Sequence, residues 1–577
     1  MNLQVRQLFN HSTLAAFTVA VFAATASAAP KKYIAFSWEF GPAVTPANVL
    51  SNADKFAETP LDGIEIGLSG TNSDGERFGT WSPHFVNGPR WDREALRDCI
   101  ADWRAVRERT NLKHCFFRCF LQPEKRLGWT NDVAWANLAT NMAVAAWFGE
   151  ETGFRTLCCD TEEYWGQGQF SHRKSDPPYD ECRALARRRG AEVFGAAFAE
   201  CPKLEVLFFW LLSQYRTDFN RGDPDAAARA RGDLWAPFVD GILDVIPPEA
   251  KLIDGDEWAY FYEYSTRDYH EGALIQALHA QRLLAPENRA KYAAHISTSF
   301  GFYLDRYVFP GGWWYSGPVA GSRLEHLRRN LADATECAGE YVWLYGENRH
   351  WIDWTPDVKI SSGTTKGHGG LKARKDGEPW RWEDWIPGGL NETLKLTKDF
   401  DAGCAARLER LRAAGTLTNL IAHGDCQFPG LTNDFAKGVP PPFKGWLTYN
   451  RGGRMGVDRT IGDGDASSVL AQGAKYAIVT FVRDKVETGE VYAFEVSARS
   501  ENMGAPNAYI SWRGSGDVPA VKMKFGEPDE NGWRHGVCYF KVPLSLKHIW
   551  ACAQIRQGGD DTKKVWLDNF ALYRLWP

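Results

Sequence analysis

The chain has 577 residues, with 67 Lys and Arg against 72 Asp and Glu and a formal net charge of −5 at pH 7. No basic block interrupts it, which argues against nucleic acid as the main partner. The length exceeds that of one ordinary domain, so at least two are expected.

The chain opens MNLQVRQLFNHSTLAAFTVAVFAATASAAP, with a weakly basic start (Arg6), a short apolar stretch and an ASA site at Ala26 to Ala28. Residues 1–28 read as a secretory signal peptide, with an apolar core too short and too rich in small residues for a membrane anchor. No later stretch is long and apolar enough to span a bilayer. The expectation is an exported protein, periplasmic or extracellular, with no membrane insertion.

From residue 31 to 415, short apolar runs alternate with amphipathic segments. The runs are 33–38, 62–68, 112–120, 154–159, 204–212, 251–256, 292–300 and 341–346. Each is continuous and rich in Ile, Val, Leu and Phe, as strands buried on both faces are. Helical spacing covers 46–59, 91–110, 131–151, 180–200, 223–243, 270–284, 322–338 and 391–414, the first opened by the cap-and-proline pair Thr45-Pro46. Eight strand–helix repeats predict an α/β fold, a (β/α)8 TIM barrel. A doubly wound open sheet is the alternative, and no glycine-rich phosphate loop follows any strand to favour it.

In such a barrel the active site lies at the C-terminal ends of the strands. Those ends carry Trp38 and Glu39 after strand one, Asp160, Glu162, Glu163, Tyr164 and Trp165 after strand four, and Gln214 after strand five. Glu257 and Trp258 follow strand six, Trp313 and Trp314 strand seven, and Glu347, Asn348 and Trp351 strand eight. A long segment, 347–390, follows strand eight with five tryptophans, a composition suited to a wall or lid.

The chain holds 25 Trp. Many lie in polar, Gly-rich stretches, including Trp81, Trp129, Trp165, Trp313, Trp314, Trp351 and Trp354. Sugar rings stack their C–H faces on aromatic rings while their hydroxyls need polar partners, so a carbohydrate groove and a tryptophan-rich core both account for this composition. The 12 Cys show neither a disulfide framework nor a CxxC pair, and Cys115, Cys119, Cys158 and Cys159 read as small buried hydrophobes, with a Cys115–Cys158 bridge as the alternative. No metal ligand set and no cofactor motif is read. Nucleophilic Ser or Cys chemistry is disfavoured, since no GxSxG elbow occurs. His295 and His350 are candidates for substrate hydrogen bonds.

From Asn419 the pattern changes to short strands at 475–482, 489–500, 507–514, 532–543, 549–557 and 564–575, separated by Gly- and Asp-bearing turns. Residues 419–577 are expected to form a β-sandwich. On NLIAHGD, Gly445-Trp446 and the closing VWLDNFALY, this stretch resembles the jelly-roll carbohydrate-binding modules of polysaccharide hydrolases. Trp446, Tyr449, Trp512 and Gln554 are candidates for a binding face, and Asp568 for a calcium ligand.

The acids after strand four carry the chemistry. Asp160 and Glu162 share a face while the chain stays extended, and carboxylates that close repel, so one is expected to hold its proton. A protonated acid beside an ionised one is what glycoside hydrolysis requires. Three partnerships are open. The DTE end of strand four is similar to the close of the chitinase-type signature, whose earlier D-x-x-D is replaced here by RTLCC. Pairing strand four with strand six, through Asp256 or Glu257, resembles α-galactosidase-like barrels and is ranked first. Glu347 offers the third.

The chain as a whole resembles two-domain bacterial polysaccharide hydrolases. The expected activity is that of a glycosidase acting on a poly- or oligosaccharide, by acid–base hydrolysis with Glu162 or Glu163 as proton donor and Glu257 as the second carboxylate. A glycan-binding protein on a barrel scaffold and a polysaccharide lyase are the alternatives.

Overall fold

The computed structural model describes residues 30–576, apart from 42–43, 81–83, 163–165, 220–221, 263–265, 309–316, 319–322, 348, 356–357, 359–380, 386–389, 429–444, 485, 513–517, 544–545 and 547. The chain forms two compact units, divided between Asp399 and Phe400.

The first unit is built on a curled, all-parallel sheet. Its strands are β1 (Lys32–Ser37), β2 (Gly63–Ile66), β3 (Phe116–Phe120), β4 (Thr156–Asp160), β5 (Glu205–Phe208), β6 (Lys251–Asp254), β7 (Ile296–Thr298), β8 (Gly301–Tyr303) and β9 (Tyr341–Gly346). Their order is β8-β9-β1-β2-β3-β4-β5-β6-β7. β2, β3 and β4 are buried along their whole length, which explains their continuous apolar character. Ile34, Phe36, Phe116, Cys158, Leu207, Phe209, Ile253, Tyr341 and Trp343 form a core cluster on the inner face.

The run 292–300 behaves differently from the single strand expected. Its first residues belong to the helix Arg289–His295, where Tyr292 is buried and its hydroxyl donates to the Gln276 carbonyl (2.8 Å). Beyond His295 the chain is strand, interrupted at Ser299 and Phe300. Ser299 donates from its N–H to the Asp254 carbonyl (3.0 Å) and from its hydroxyl to the Tyr341 carbonyl (2.9 Å). The two outermost strands of the sheet are thus successive pieces of one short segment. His295 precedes β7 at its N-terminal end and meets the Ala250 carbonyl (2.8 Å), away from the strand ends where a substrate contact was expected.

Helices cover the sheet. Asp132–Thr152 is capped by the Asn131 side chain, which accepts from Ala134 N–H (3.1 Å), and closed by left-handed Gly153. Tyr179–Glu200 and Trp235–Val245 touch backbone to backbone, because a Cβ at Gly190 would lie 2.0 Å from the Phe238 carbonyl oxygen and one at Gly241 1.9 Å from that of Arg187. Two expected helices are broken. The pattern 223–243 becomes Pro224–Ala230 and Trp235–Val245, with left-handed Gly232 between them. The pattern 391–414 becomes Leu390–Lys398 and Phe400–Ala413. The first is tied to β1 through Thr397 and the Tyr33 hydroxyl (2.6 Å), while Arg412 of the second pairs with Glu495 (2.9 Å).

The second unit holds two antiparallel sheets. One has five strands, Trp446–Arg451, Tyr476–Asp484, His548–Ile555, Asn507–Ser511 and Val521–Lys522 in spatial order. The other has six, Arg454–Asp458, Ser468–Gln472, Lys564–Trp576, Val491–Glu501, Trp533–Lys541 and Lys524–Phe525. Inward residues of both, among them Val479, Phe481, Ile510 and Ala551 from one and Val457, Phe494, Val496 and Leu567 from the other, share one core.

Candidate active site

The apolar inner layer of the first unit ends upward in charge. Parallel register puts Arg118 beside Cys158 and Glu65 beside Phe116, so Glu65, Arg118 and Asp160 all point inward from three neighbouring strands. Arg118 donates to Glu65 Oε1 (2.8 Å) and to Asp160 Oδ2 (2.5 Å), and all three residues are buried. Asp160 Oδ1 accepts from Glu162 N–H (3.0 Å), which ends β4 and turns the chain toward Glu162. Burial, then Asp160, pushes the Glu65 carboxyl up to about 7 against the pull of Arg118. Arg118 is not among the site residues expected from the sequence. The available signal is one arginine at inward register inside the apolar run LKHCFFRCF.

β6 supplies the second acid. Asp254 is buried at its end and accepts from Leu212 N–H (2.9 Å), Ser213 N–H (2.7 Å) and the Ser213 hydroxyl (2.5 Å), which fixes the loop after β5 that carries Trp210. Glu257 opens a 3-10 turn, Glu257–Phe261, and its N–H donates to the Phe209 carbonyl (3.3 Å), beside Trp210. Burial raises its carboxyl well above the ordinary range, and the neighbouring charges of Glu162 and then Asp160 push it further. Its Oε2 is shielded from solvent and accepts no hydrogen bond. The tertiary structure therefore brings Glu162 and Glu257 into electrostatic contact.

The rest of the rim is aromatic and acidic. Tyr260, Tyr303 and Tyr345 lie nearly parallel, with centroids 5.4–6.4 Å apart. Half-buried Glu347 accepts from the Tyr345 hydroxyl (3.0 Å), and its backbone N–H donates to Asp305 Oδ2 (2.9 Å). Trp258 is half-buried, edge-on to Trp210 at 5.3 Å, and Trp38 is 40% exposed. Gln214 is half-buried and donates to the Leu211 carbonyl (2.9 Å). Glu39 is buried, its oxygens accepting from Trp351 N–H and Trp354 Nε1–H (2.7 Å each), and Trp351 is buried with it. Glu39 thus clasps the segment after β9. Trp129, read among the polar-loop tryptophans, is core, stacked on Trp135 at 5.3 Å. Glu163, Tyr164, Trp165, Trp313, Trp314 and Asn348 lie outside the described residues.

These protonation states make stability depend on pH. Burial raises Glu39 to about 8, and Glu65 and Asp256 to about 7 each. These groups hold protons in the folded chain that the unfolded chain releases near pH 4, so their contribution is full at low pH and lost as pH rises through 7–8. His114, lowered to about 4 first by burial, acts oppositely, gaining stability between about pH 4 and 6.5 and nothing above. The Tm of the first unit is therefore expected to fall by about 2–5 °C between roughly pH 6.5 and 8.5. A flat or rising Tm in a thermal scan would contradict these protonation states.

The second unit presents one outward face with binding chemistry. Antiparallel register places Tyr449 beside Ile478, and Ile478 in turn beside Gln554, and Tyr476 packs near Tyr449 at 5.8 Å. Gln554 donates to the Tyr476 hydroxyl (3.0 Å), and Arg556 lies over the Tyr476 ring. Tyr449 is 50% exposed. Trp446 and Trp512, expected on the same face, are core residues instead, on the opposite side of the pleat. Trp446→Ala is expected to destabilise this unit by about 3–5 kcal/mol, whereas Tyr449→Ala leaves its Tm unchanged and weakens retention on any glycan it binds. Calorimetry and affinity electrophoresis check the pair.

Among the described residues, two groups bring possible ligand atoms within 4.8 Å of one another, His172/Asp176/Cys182 and Asp463/Asp529/His535. Asp176 is held by two bonds from Arg126 (2.6 and 2.8 Å) and His172 Nε2 meets the Pro177 carbonyl (2.9 Å), which accounts for the first as an ion-paired turn. Asp568 is buried and accepts from Asp463 N–H (2.8 Å) and Asn569 N–H (2.7 Å).

The described Cys are free thiols, including Cys115 and Cys158, and most are buried. No helix among the described residues is long and apolar enough to cross a membrane.

No family model matches the sequence, and no curated protein matches it. Among solved structures, the chain is similar to the enzymatically active domain of tailspike protein 4 of bacteriophage CBA120, at 14% identity over 27% of this chain and 21% of that one, with a TM-score of 0.21. It is also similar to TmCBM61 in complex with β-1,4-galactotriose, at 11% identity over 27% of this chain and 99% of that one (TM-score 0.20). The CBM22-1–GH10 modules of Clostridium thermocellum endo-1,4-β-D-xylanase 10B, complexed with xylohexaose, match at 13% identity over 25% of this chain and 27% of that one (TM-score 0.19). The chain thus spans about a fifth of the tailspike domain it matches. These partial likenesses carry no functional weight, which rests on the site itself.

Proposed function

We propose that this protein is an exported glycoside hydrolase. In this reading the first unit is a (β/α)8 barrel closed through the Ile296–Tyr303 segment, and the second is a jelly-roll glycan-binding module. The observation that carries the reading is the Glu162–Glu257 pair at the C-terminal ends of β4 and β6, two acids from distant parts of the chain whose charges oppose each other. Burial and that opposition favour the proton on Glu257, so Glu257 is the proton donor to the glycosidic oxygen and Glu162 the second carboxylate, facing the anomeric carbon. This reverses the roles expected from the sequence. Arg118 holds Asp160 in place beneath them, and Trp38, Trp258 and the tyrosine stack supply flat surfaces for sugar rings.

The test is a panel of poly- and oligosaccharides incubated with the purified protein and read for reducing ends and ultraviolet absorbance. Hydrolysis raises reducing ends alone. A rise in both identifies a lyase, and a panel with neither, on glycans that the protein binds, supports a binding protein on a barrel scaffold.

A further inference from the structure

Strand β6 ends in the turn Asp254-Gly255-Asp256-Glu257, which does more than deliver one acid. Asp254 anchors the loop that carries Trp210. Asp256 is buried at 1% exposure and left-handed, with φ 40° and ψ 67°. Residues other than glycine adopt that conformation at a cost of about 1–2 kcal/mol, so something must hold it there.

The holding contacts form a built cradle. Asp256 Oδ2 accepts from the Tyr262 hydroxyl (2.8 Å) and from Gln276 Nε2 (3.2 Å). Gln276 is itself fully buried and fixed to Ser299 through both ends of its amide (3.1 Å each). The Arg216 guanidinium lies 4.6 Å from the Tyr262 ring centroid and bonds the Tyr262 hydroxyl. Space is made by Gly272, where a Cβ would come within 2.9 Å of Asp256 Oδ2 and 2.8 Å of the Tyr262 hydroxyl. At the preceding position, a Cβ on Gly255 would lie 2.7 Å from the Phe208 carbonyl oxygen. The turn is therefore pressed against β5 and pinned from the side, and the next residue after the pinned one is Glu257, whose N–H reaches the Phe209 carbonyl (3.3 Å).

We propose that Asp256 is a positioning residue: its anchored carboxylate holds the strained left-handed turn that fixes Glu257 beside the loop carrying Trp210. Asp256 acts through Glu257 and not on substrate. The kinetic half of this inference rests on the hydrolase reading, and the geometric half does not.

The experiment uses the full chain with 15N-labelled tryptophan, the Trp210 indole N–H resonance being assigned by its loss in Trp210→Phe. That resonance reports the surroundings of the Trp210 indole, and Glu257→Ala marks its position without the neighbouring carboxyl. Asp256→Asn keeps an oxygen for Tyr262 and favours the left-handed region, so it is expected to leave the resonance in place and kcat within about threefold. Asp256→Gly removes the strain and the anchor together. It is expected to move the resonance toward the Glu257→Ala position and to lower kcat by about 10²-fold with little change in KM. Tyr262→Phe, which removes one donor and keeps the backbone, is expected to move the resonance in the same direction. An unmoved resonance in both Asp256→Gly and Tyr262→Phe overturns the proposal. So does Asp256→Gly with native kcat, which would mean that the turn needs no anchor. If wild-type protein hydrolyses no glycan, the hydrolase reading fails while the resonance still decides whether Asp256 places Glu257.

Discussion

Glu257→Gln is expected to lower kcat by about 10²–10⁴-fold while leaving the fold intact. Glutamine is nearly isosteric with a protonated glutamate, and Glu257 is held well above the ordinary carboxyl range first by burial and then by Glu162. The amide removes the transferable proton without adding a charge to the site. Its effect on stability has a definite sign. A carboxyl whose folded value is raised destabilises the chain at any pH above the unfolded value, so the substitution is expected to raise Tm near pH 8 and to change it little near pH 4. Glu162→Gln supplies the complementary reading. Removing the opposing charge lowers the Glu257 value, so the alkaline limb of whatever activity remains should move to lower pH. Initial rates across pH on a substrate found in the glycan panel, with thermal scans of the same proteins, check both. Full activity in Glu257→Gln would remove Glu257 from the chemistry.

Arg118→Met is expected to be the most destabilising single substitution at the mouth of the sheet. The guanidinium bridges Glu65 and Asp160, both fully buried. Methionine keeps the apolar stem and leaves two carboxyls without their counter-charge. Breaking a buried ion pair from one side costs about 3–5 kcal/mol, a fall of roughly 5 °C or more in the Tm of the first unit. The loss has its own pH signature. Orphaned carboxyls escape part of the penalty by binding protons, so the difference from wild type should be larger near pH 8 than near pH 5. Replacing Glu65 and Asp160 by Gln and Asn in the same chain should recover much of it, because hydrogen-bonding groups then remain without unpaired charge. Thermal denaturation of the three proteins at two pH values measures this. An Arg118→Met protein as stable as wild type would show that the bridge contributes nothing net.

The strands were legible because burial on both faces demands continuous apolar runs, and 341–346 matches β9 residue for residue. Thr45-Pro46 was legible for a local reason as well. The Thr45 hydroxyl accepts from Asn48 N–H (3.2 Å), an interaction three residues long. The run 292–300 misled because an apolar stretch of that length suits a buried helix turn as well as a strand. Only its neighbours chose, with the Gln276 carbonyl taking the Tyr292 hydroxyl, β6 pairing with β7 and β9 with β8. Trp446 and Trp512 misled in the second unit because a period of two states that alternate residues differ in side but not which side faces the core. The opposite sheet decided that.

By itself the sequence determined that inward acids would stand at the ends of parallel strands, since alternation along each strand and the C-terminal loops are properties of short segments. It also determined the change from helix period to strand period ahead of the second unit. Tertiary structure alone decided which acids meet. Glu162 and Glu257 are 95 positions apart in the chain, and Arg118 joins Glu65 to Asp160 across three strands. Proximity of that kind is set by strand order and register, and the protonation of each acid by the burial and charges that proximity creates. Neither quantity exists until the sheet has curled.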